Sequence, residues 1–304
     1  MADEETSPAI TTPAITTPAI TTPETTTPTT ATTTTASTTP PIPLKRWNSA
    51  QTALILIVLI VLIGVAGWFL PPGWNFIILM VLMILFMMTL GKKISGRPAG
   101  ILINERNLIS LSRFQMVLWT VLILSAYLVA ALGRLKAGGV SEALNITLDE
   151  KLWGLLGIST ASLVGTPLIQ STKNTQAPKD TEVAKTATKL NEGQDEIRKN
   201  SQGVLYANPS IQDAAFSDMF EGDEVGNTAY VDLAKVQMFF FTMIAGLSYG
   251  AELYKWILAN GFAADIHRTD FPYLSGSLIA LLGISHAGYL TNGTTTHTPT
   301  KDPS

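Results

Sequence analysis

The chain has 304 residues, 20 Lys and Arg against 23 Asp and Glu, and no cysteine. The formal charge of -3 argues against a general nucleic-acid binder, which needs a basic surface to displace counterions. Lack of cysteine excludes disulfides, thiolate nucleophiles and cysteine-metal sites, and His267, His286 and His297 include no pair at metal-ligand spacing.

Residues 6–30 repeat a five-residue unit: TSPAI, TTPAI, TTPAI, TTPET, TTPTT. Proline at every fifth position removes helix donors, and threonine offers little apolar area to bury. Residues 1–50 are therefore expected to be a disordered Thr/Pro-rich tail. The first apolar run begins only at Ala53, too late for a signal peptide.

Residues 53–70 are an uncharged apolar stretch following Lys45 and Arg46, long enough at 1.5 Å per residue to span roughly 27 Å of hydrocarbon. Pro71-Pro72-Gly73 forces a turn between Trp68 and Trp74, and the chain returns through 76–90 to Lys92 and Lys93. Residues 51–93 thus read as a transmembrane hairpin. Four further spans are expected at 114–132, 152–169, 236–258 and 273–290. They carry Gln115, Tyr127, Ser159, Gln237, Tyr249 and His286, groups that lipid cannot satisfy and that suit helix–helix contact. The overall expectation is an all-α membrane protein with about six transmembrane helices.

Between the fourth and fifth spans, residues 171–230 form a polar segment whose first part is too poor in apolar residues to fold alone. A short amphipathic helix is expected near 210–221, from the capping pair Ser210 and Asp213 and the helical spacing of Ile211, Ala214, Ala215, Phe216, Met219 and Phe220. Glu221, Asp223 and Glu224 lack the alternating spacing of a calcium loop. Residues 293–304 read as a disordered C-terminal tail.

Of the 20 Lys and Arg residues, only Arg134, Lys136, Lys151, Lys255 and Arg268 fall on the side opposite the termini. By the positive-inside rule both termini are expected in the cytoplasm.

Two parts of the chain match each other. At an offset of 122, Leu111–Met116 aligns with Leu233–Met238, pairing Gln115 with Gln237, and the match extends to Thr120/Thr242 and Tyr127/Tyr249. At an offset of 126, LWGLLGISTA from Leu152 aligns with LIALLGISHA from Leu278. Residues 105–170 and 231–292 thus read as a duplicated hairpin, its copies running the same way across the membrane. Gly157, Ala161 and Gly165, the matching Gly283 and Ala287, and the Gly246/Gly250 pair provide small residues at four-residue spacing for close helix packing. Gln115, Gln237 and His286, with Ser159 and Ser285 deeper, form a candidate intramembrane polar cluster. Such a cluster either bridges helices or serves a ligand or proton.

The blocks SLSRFQMVLWT, LLGISTASL, VDLAKVQMFFFT and LLGISHAGYL resemble those shared by a set of bacterial multi-pass membrane proteins. The resemblance implies an inner-membrane location and no activity. No phosphate loop, paired catalytic carboxylates, dinucleotide fingerprint or serine with a base and orienter is present, so neither an enzyme nor a cofactor is expected. The leading expectation is a membrane anchor, assembly or scaffold component that shows its cytoplasmic tail and loop to protein partners. The alternative is a small-solute transporter or channel subunit.

Overall fold

The computed structural model describes residues 48–138, 143–144, 146–260 and 271–301. Nearly all of the expected Thr/Pro tail lies outside the described residues. Those that are described form eight α-helices: α1 (Ser49–Phe69), α2 (Trp74–Ser95), α3 (Leu111–Lys136), α4 (Glu150–Lys173), α5 (Asp180–Leu190), α6 (Gln194–Asn200), α7 (Leu233–Asn260) and α8 (Gly276–Thr294). Extended structure among them is limited to isolated bridges.

α1 to α4 are long and apolar enough to cross a membrane. α1 exposes Leu54, Ile57, Ile60, Val61 and Phe69, and α2 exposes Val81, Ile84, Leu85 and Met88. A continuous apolar surface of this kind is costly in water and natural in lipid. The protein is an integral membrane protein. Asn48 starts α1 by accepting the Ala50 N–H, Ser110 starts α3 by accepting from Arg113, and Asp149 starts α4 by accepting from Lys151. The α1–α2 turn requires a glycine, because Gly73 has φ 86° and a Cβ there would stand 2.9 Å from Leu258 Cδ2.

α3 is the central helix. It packs on α1, α2, α4 and α7, while α8 closes the bundle against α4 and α7. Trp119, Leu122, Ile123 and Ala126 of α3 meet Phe76, Leu79, Leu155, Ala245, Tyr249 and Leu282 in the main core. α4 and α8 run in parallel, touching at Ile158–Gly283, Ser162–His286, Gly165–Leu290 and Ile169–Gly293. α3 and α7 are also parallel, touching at Gln115–Thr242, Leu118–Gly246 and Leu122–Gly250.

The polar segments join into one head at a single end of the bundle. The α2–α3 connector turns through a 3-10 helix at Pro98–Leu102 and a tight bridge between Ile103 and Ile109. It then meets residues 174–232, where Val183, Ala187, Ile197, Tyr206 and Val225 build a small core with Leu108. Sequence composition suggested that the first part of this segment could not fold alone. It folds here because its sparse apolar residues converge on a surface supplied by another part of the chain. The helix expected near 210–221 is a 3-10 turn, Phe216–Phe220, whose Met219 seats against Ile103, Ile109 and Met238. Ser210 and Asp213 do pair, through the Ser210 N–H and Asp213 Oδ2 at 3.1 Å, but only the 3-10 turn follows them, not an α-helix. Nor are residues 295–301 a loose tail. Lys179 N–H donates to Pro299, Lys301 N–H to Ala177, and Thr298 is buried.

The small-residue faces divide in two. Gly246 and Gly250 pack on α3, Gly165 on Leu290 and Gly283 on Ile158. Gly157, Ala161 and Ala287 are exposed instead, and a Cβ on Gly157 would meet nothing within 4 Å. The buried face of α4 is Leu152, Leu155, Ser159 and Ser162, a helical stripe that leaves the Gly157–Ala161 edge outward.

A Cβ on Gly246 would stand 2.8 Å from Leu118 Cδ2. Gly246→Leu should therefore lower the thermal midpoint in detergent by several degrees, because overpacking costs about 1–3 kcal/mol. Gly157→Leu should change it by about one degree or less. Equal losses would contradict these faces.

Candidate functional site

Two polar assemblies stand out, one inside the bundle and one where the bundle meets the head. Inside, Ser162 Oγ and His286 Nδ1 lie 2.5 Å apart, joining α4 to α8. Four residues further along α4, Thr166 Oγ1 donates to the Ser162 carbonyl and lies 3.3 Å from Tyr289 Oη and 3.4 Å from Ser112 Oγ. Gln115 Nε2 donates to Thr242 Oγ1 at 2.6 Å, joining α3 to α7. Gln115 Oε1, Ser159 Oγ and Ser285 Oγ are buried with no hydrogen-bond partner.

Gln115, His286, Ser159 and Ser285 are thus all buried in the bundle. Gln237 is not with them, because it is exposed. The sequence match places Gln237 level with Gln115. The α3–α7 contacts instead pair residues 127 or 128 apart, so α7 is displaced by five to six residues, roughly 8 Å at 1.5 Å per residue. The matched blocks of α4 and α8 also differ. Thr160 is exposed, whereas His286 at the corresponding position is buried.

Sequence reasoning missed Ser112, Ser162, Thr166, Thr242 and Tyr289. Ser159, Ser162 and Thr166 share the helical stripe that continues Leu152 and Leu155, a signal present in the spacing. Ser162 and His286 have the contact of a nucleophile and base. Ser162 is fully buried, however, and among the described residues no carboxylate orients His286, which triad-type activation requires. The contact links α4 to α8. Among the described residues no three His, Asp or Glu groups converge as metal ligands.

The second assembly centres on two adjacent acids. Asp223 Oδ1 receives Arg106 Nη2 at 2.5 Å and Lys235 Nζ at 3.1 Å. Glu224 Oε1 receives Lys173 Nζ at 2.5 Å, with only 1% and 5% of the two side chains exposed. Glu224 Oε2 accepts the backbone N–H groups of His297 and Thr298, and Lys173 also donates to the Thr295 carbonyl. Arg106 precedes α3, Lys173 ends α4, Lys235 opens α7, and residues 295–298 follow α8. One dipeptide therefore holds the head end of four helices. Arg97 adds a further tie, donating to the carbonyls of Ile211, Gln212 and Ala214. Beneath the head, Phe239 contacts Phe114, Phe216, Phe220 and Phe240 in an aromatic cluster.

Burial opposes the charge of Asp223, but Lys235 and Arg106 outweigh it and hold the carboxyl well below the usual carboxylate range. Asp218, which accepts the N–H groups of Ile109 and Ala215, is shifted up, mainly by burial.

The chain was compared with protein-family models, curated proteins and solved structures, and none of them matches it.

Glu224→Gln leaves Lys173 buried without a counter-charge and should cost about 3–5 kcal/mol of unfolding stability, with apolar replacement of both partners recovering much of the loss. A denaturant titration on the three proteins measures this, and proteolysis should release residues 295–301 first in the single variant. Because the folded pKa of Asp223 is depressed, its contribution is complete above the unfolded value of ~3.9 and fades as pH falls below it. The stability gap between wild type and Asp223→Asn should accordingly hold steady from about pH 8 to pH 5 and narrow below about pH 4.

Proposed function

We propose that the chain is a six-span membrane protein with a duplicated helix hairpin, and that it works as an anchor or assembly component presenting a fixed cytoplasmic head to protein partners. The observation that carries this reading is the Asp223–Glu224 hub. It secures the head to the ends of α3, α4, α7 and α8 through buried charges, and so gives a binding surface a constant orientation relative to the bilayer.

Support for six spans comes from α7 and α8. Their 28 and 19 residues correspond to about 42 and 28 Å, and they pack beside α3 and α4. Support for duplication comes from the matching blocks and from the parallel course of both helix pairs. A cytoplasmic head agrees with the location of most Lys and Arg residues, and the bacterial inner membrane is the compartment that the sequence resemblance favours.

A second reading is a small-solute transporter or channel subunit. It rests on the unpartnered buried oxygens of Gln115, Ser159 and Ser285, which a polar solute could satisfy.

The chain contains no cysteine, so single cysteines report topology without background. Cysteines at Thr188, Ser210 and Thr296 should label from the cytoplasmic side and one at Leu144 from the other. Labelling of Leu144 and Thr188 from one side would defeat the six-span arrangement. A photo-crosslinking residue at Lys185 or Arg198, both exposed, should give a discrete adduct in native membranes that Glu224→Gln weakens. Solute flux from reconstituted vesicles without any adduct would favour the transporter instead.

A further inference from the structure

We infer that the groove framed by α2, α3 and α4 at the head end of the bundle is a binding site for one zwitterionic aminophospholipid from the adjoining leaflet. The groove measures about 500 Å³, within the range of built ligand sites. α2 and α4 both pack on α3, leaving a channel along its surface.

The lining changes character with depth. Glu105, Arg113 and Gln170 lie at the head end, whereas Met87, Met116 and Leu163 line the part reaching into the bundle. Thr120, the deepest α3 residue in the groove, is nine positions from the start of α3, about 14 Å along its axis. Half the thickness of a bilayer core is about 15 Å. The sequence of charge, amide and apolar wall therefore follows the headgroup, glycerol and acyl regions of one leaflet.

The charges select the headgroup. Arg113 Nη1 donates to the Ile103 carbonyl at 2.7 Å, and Nη2 reaches Glu105 Oε1 at 2.5 Å. Glu105 is 77% exposed and Arg113 31%, so this pair contributes little to stability and keeps both partners available. One fixed cation beside one fixed anion complements a phosphate joined to a primary ammonium. The guanidinium donates to the phosphate, and the ammonium donates to Glu105. An anionic glycerol headgroup brings hydroxyls but no positive charge to Glu105, and a quaternary ammonium has no N–H to donate. Thr120 and Gln170 make no side-chain hydrogen bond among the described residues. Gln170, at the head end, can donate to an ester carbonyl of the lipid, whereas Thr120 lies at the level of the acyl chains.

The site is tested on the full chain, delipidated in mild detergent and given dioleoyl phosphatidylethanolamine, phosphatidylcholine or phosphatidylglycerol before native mass spectrometry. Wild type should retain one phosphatidylethanolamine with about tenfold preference over either other lipid, the worth of one charge-assisted hydrogen bond. Glu105→Gln should abolish that preference. Leu163→Trp, or Val117→Trp if the first fails to fold, should fill the groove and lower retention of all three lipids at unchanged helix content. Equal retention of the three lipids by wild type would mean non-selective annular lipid and overturn the site, as would a preference that survives Glu105→Gln. Recovery of the chain without detergent would count against the membrane assignment itself, an outcome separate from these.

Discussion

Two neighbouring carboxylates, Asp223 and Glu224, set the arrangement on which the rest of the polar half depends. A buried charge is tolerated only when paired and hydrogen-bonded. Each acid meets that demand by recruiting partners from distant parts of the chain. Asp223 takes Arg106 and Lys235, and Glu224 takes Lys173 and two backbone amides after α8. Once those pairs form, the head ends of α3, α4, α7 and α8 have little freedom to slide. Lys235 reaches the hub because α7 starts further into the head than α3 does, and the same displacement brings Thr242, rather than Gln237, to Gln115. The slide that breaks the register of the matching blocks is therefore the one the hub requires.

Within the bundle, polarity is arranged by helix face. α3 is enclosed by neighbours and holds Gln115, Ser112 and Ser125 without exposure. α1 meets the surroundings with aliphatic side chains on most of its surface, which fits a helix whose solvent is lipid. His286, Ser162, Thr166 and Tyr289 line the α4–α8 contact, where each hydroxyl finds another polar atom. At the junction with the head, Phe216, Tyr230, Val231 and Leu233 are exposed. Large apolar and aromatic groups between a wet head and an oily bundle suit the interfacial layer of a membrane.

The positive residues show how a tally of charge can conceal a second role. Arg97, Arg106, Lys173 and Lys235 all count toward the side rich in Lys and Arg. Each is also committed to carbonyls or carboxylates inside the head. A sequence tally sees the sign of a charge and its distance from a span. It does not see the partner, because Arg106 and Asp223 are 117 residues apart.

Sequence alone determined the membrane class, the four helices long and apolar enough to cross a bilayer, and the turn between α1 and α2. These follow from local properties: an unbroken apolar run must leave water, and Pro71-Pro72-Gly73 must bend. The helical stripe of Ser159 and Ser162 was also legible, since it needs only periodicity. The fold of residues 174–232, the anchoring of residues 295–301, the outward turn of Gly157, Ala161 and Ala287, and the exposure of Gln237 were decided by tertiary structure. Each depends on how one helix is rotated or displaced against another, or on a charge finding its partner across the chain. Those choices lower the free energy of the whole assembly, and no single segment carries them in its own composition.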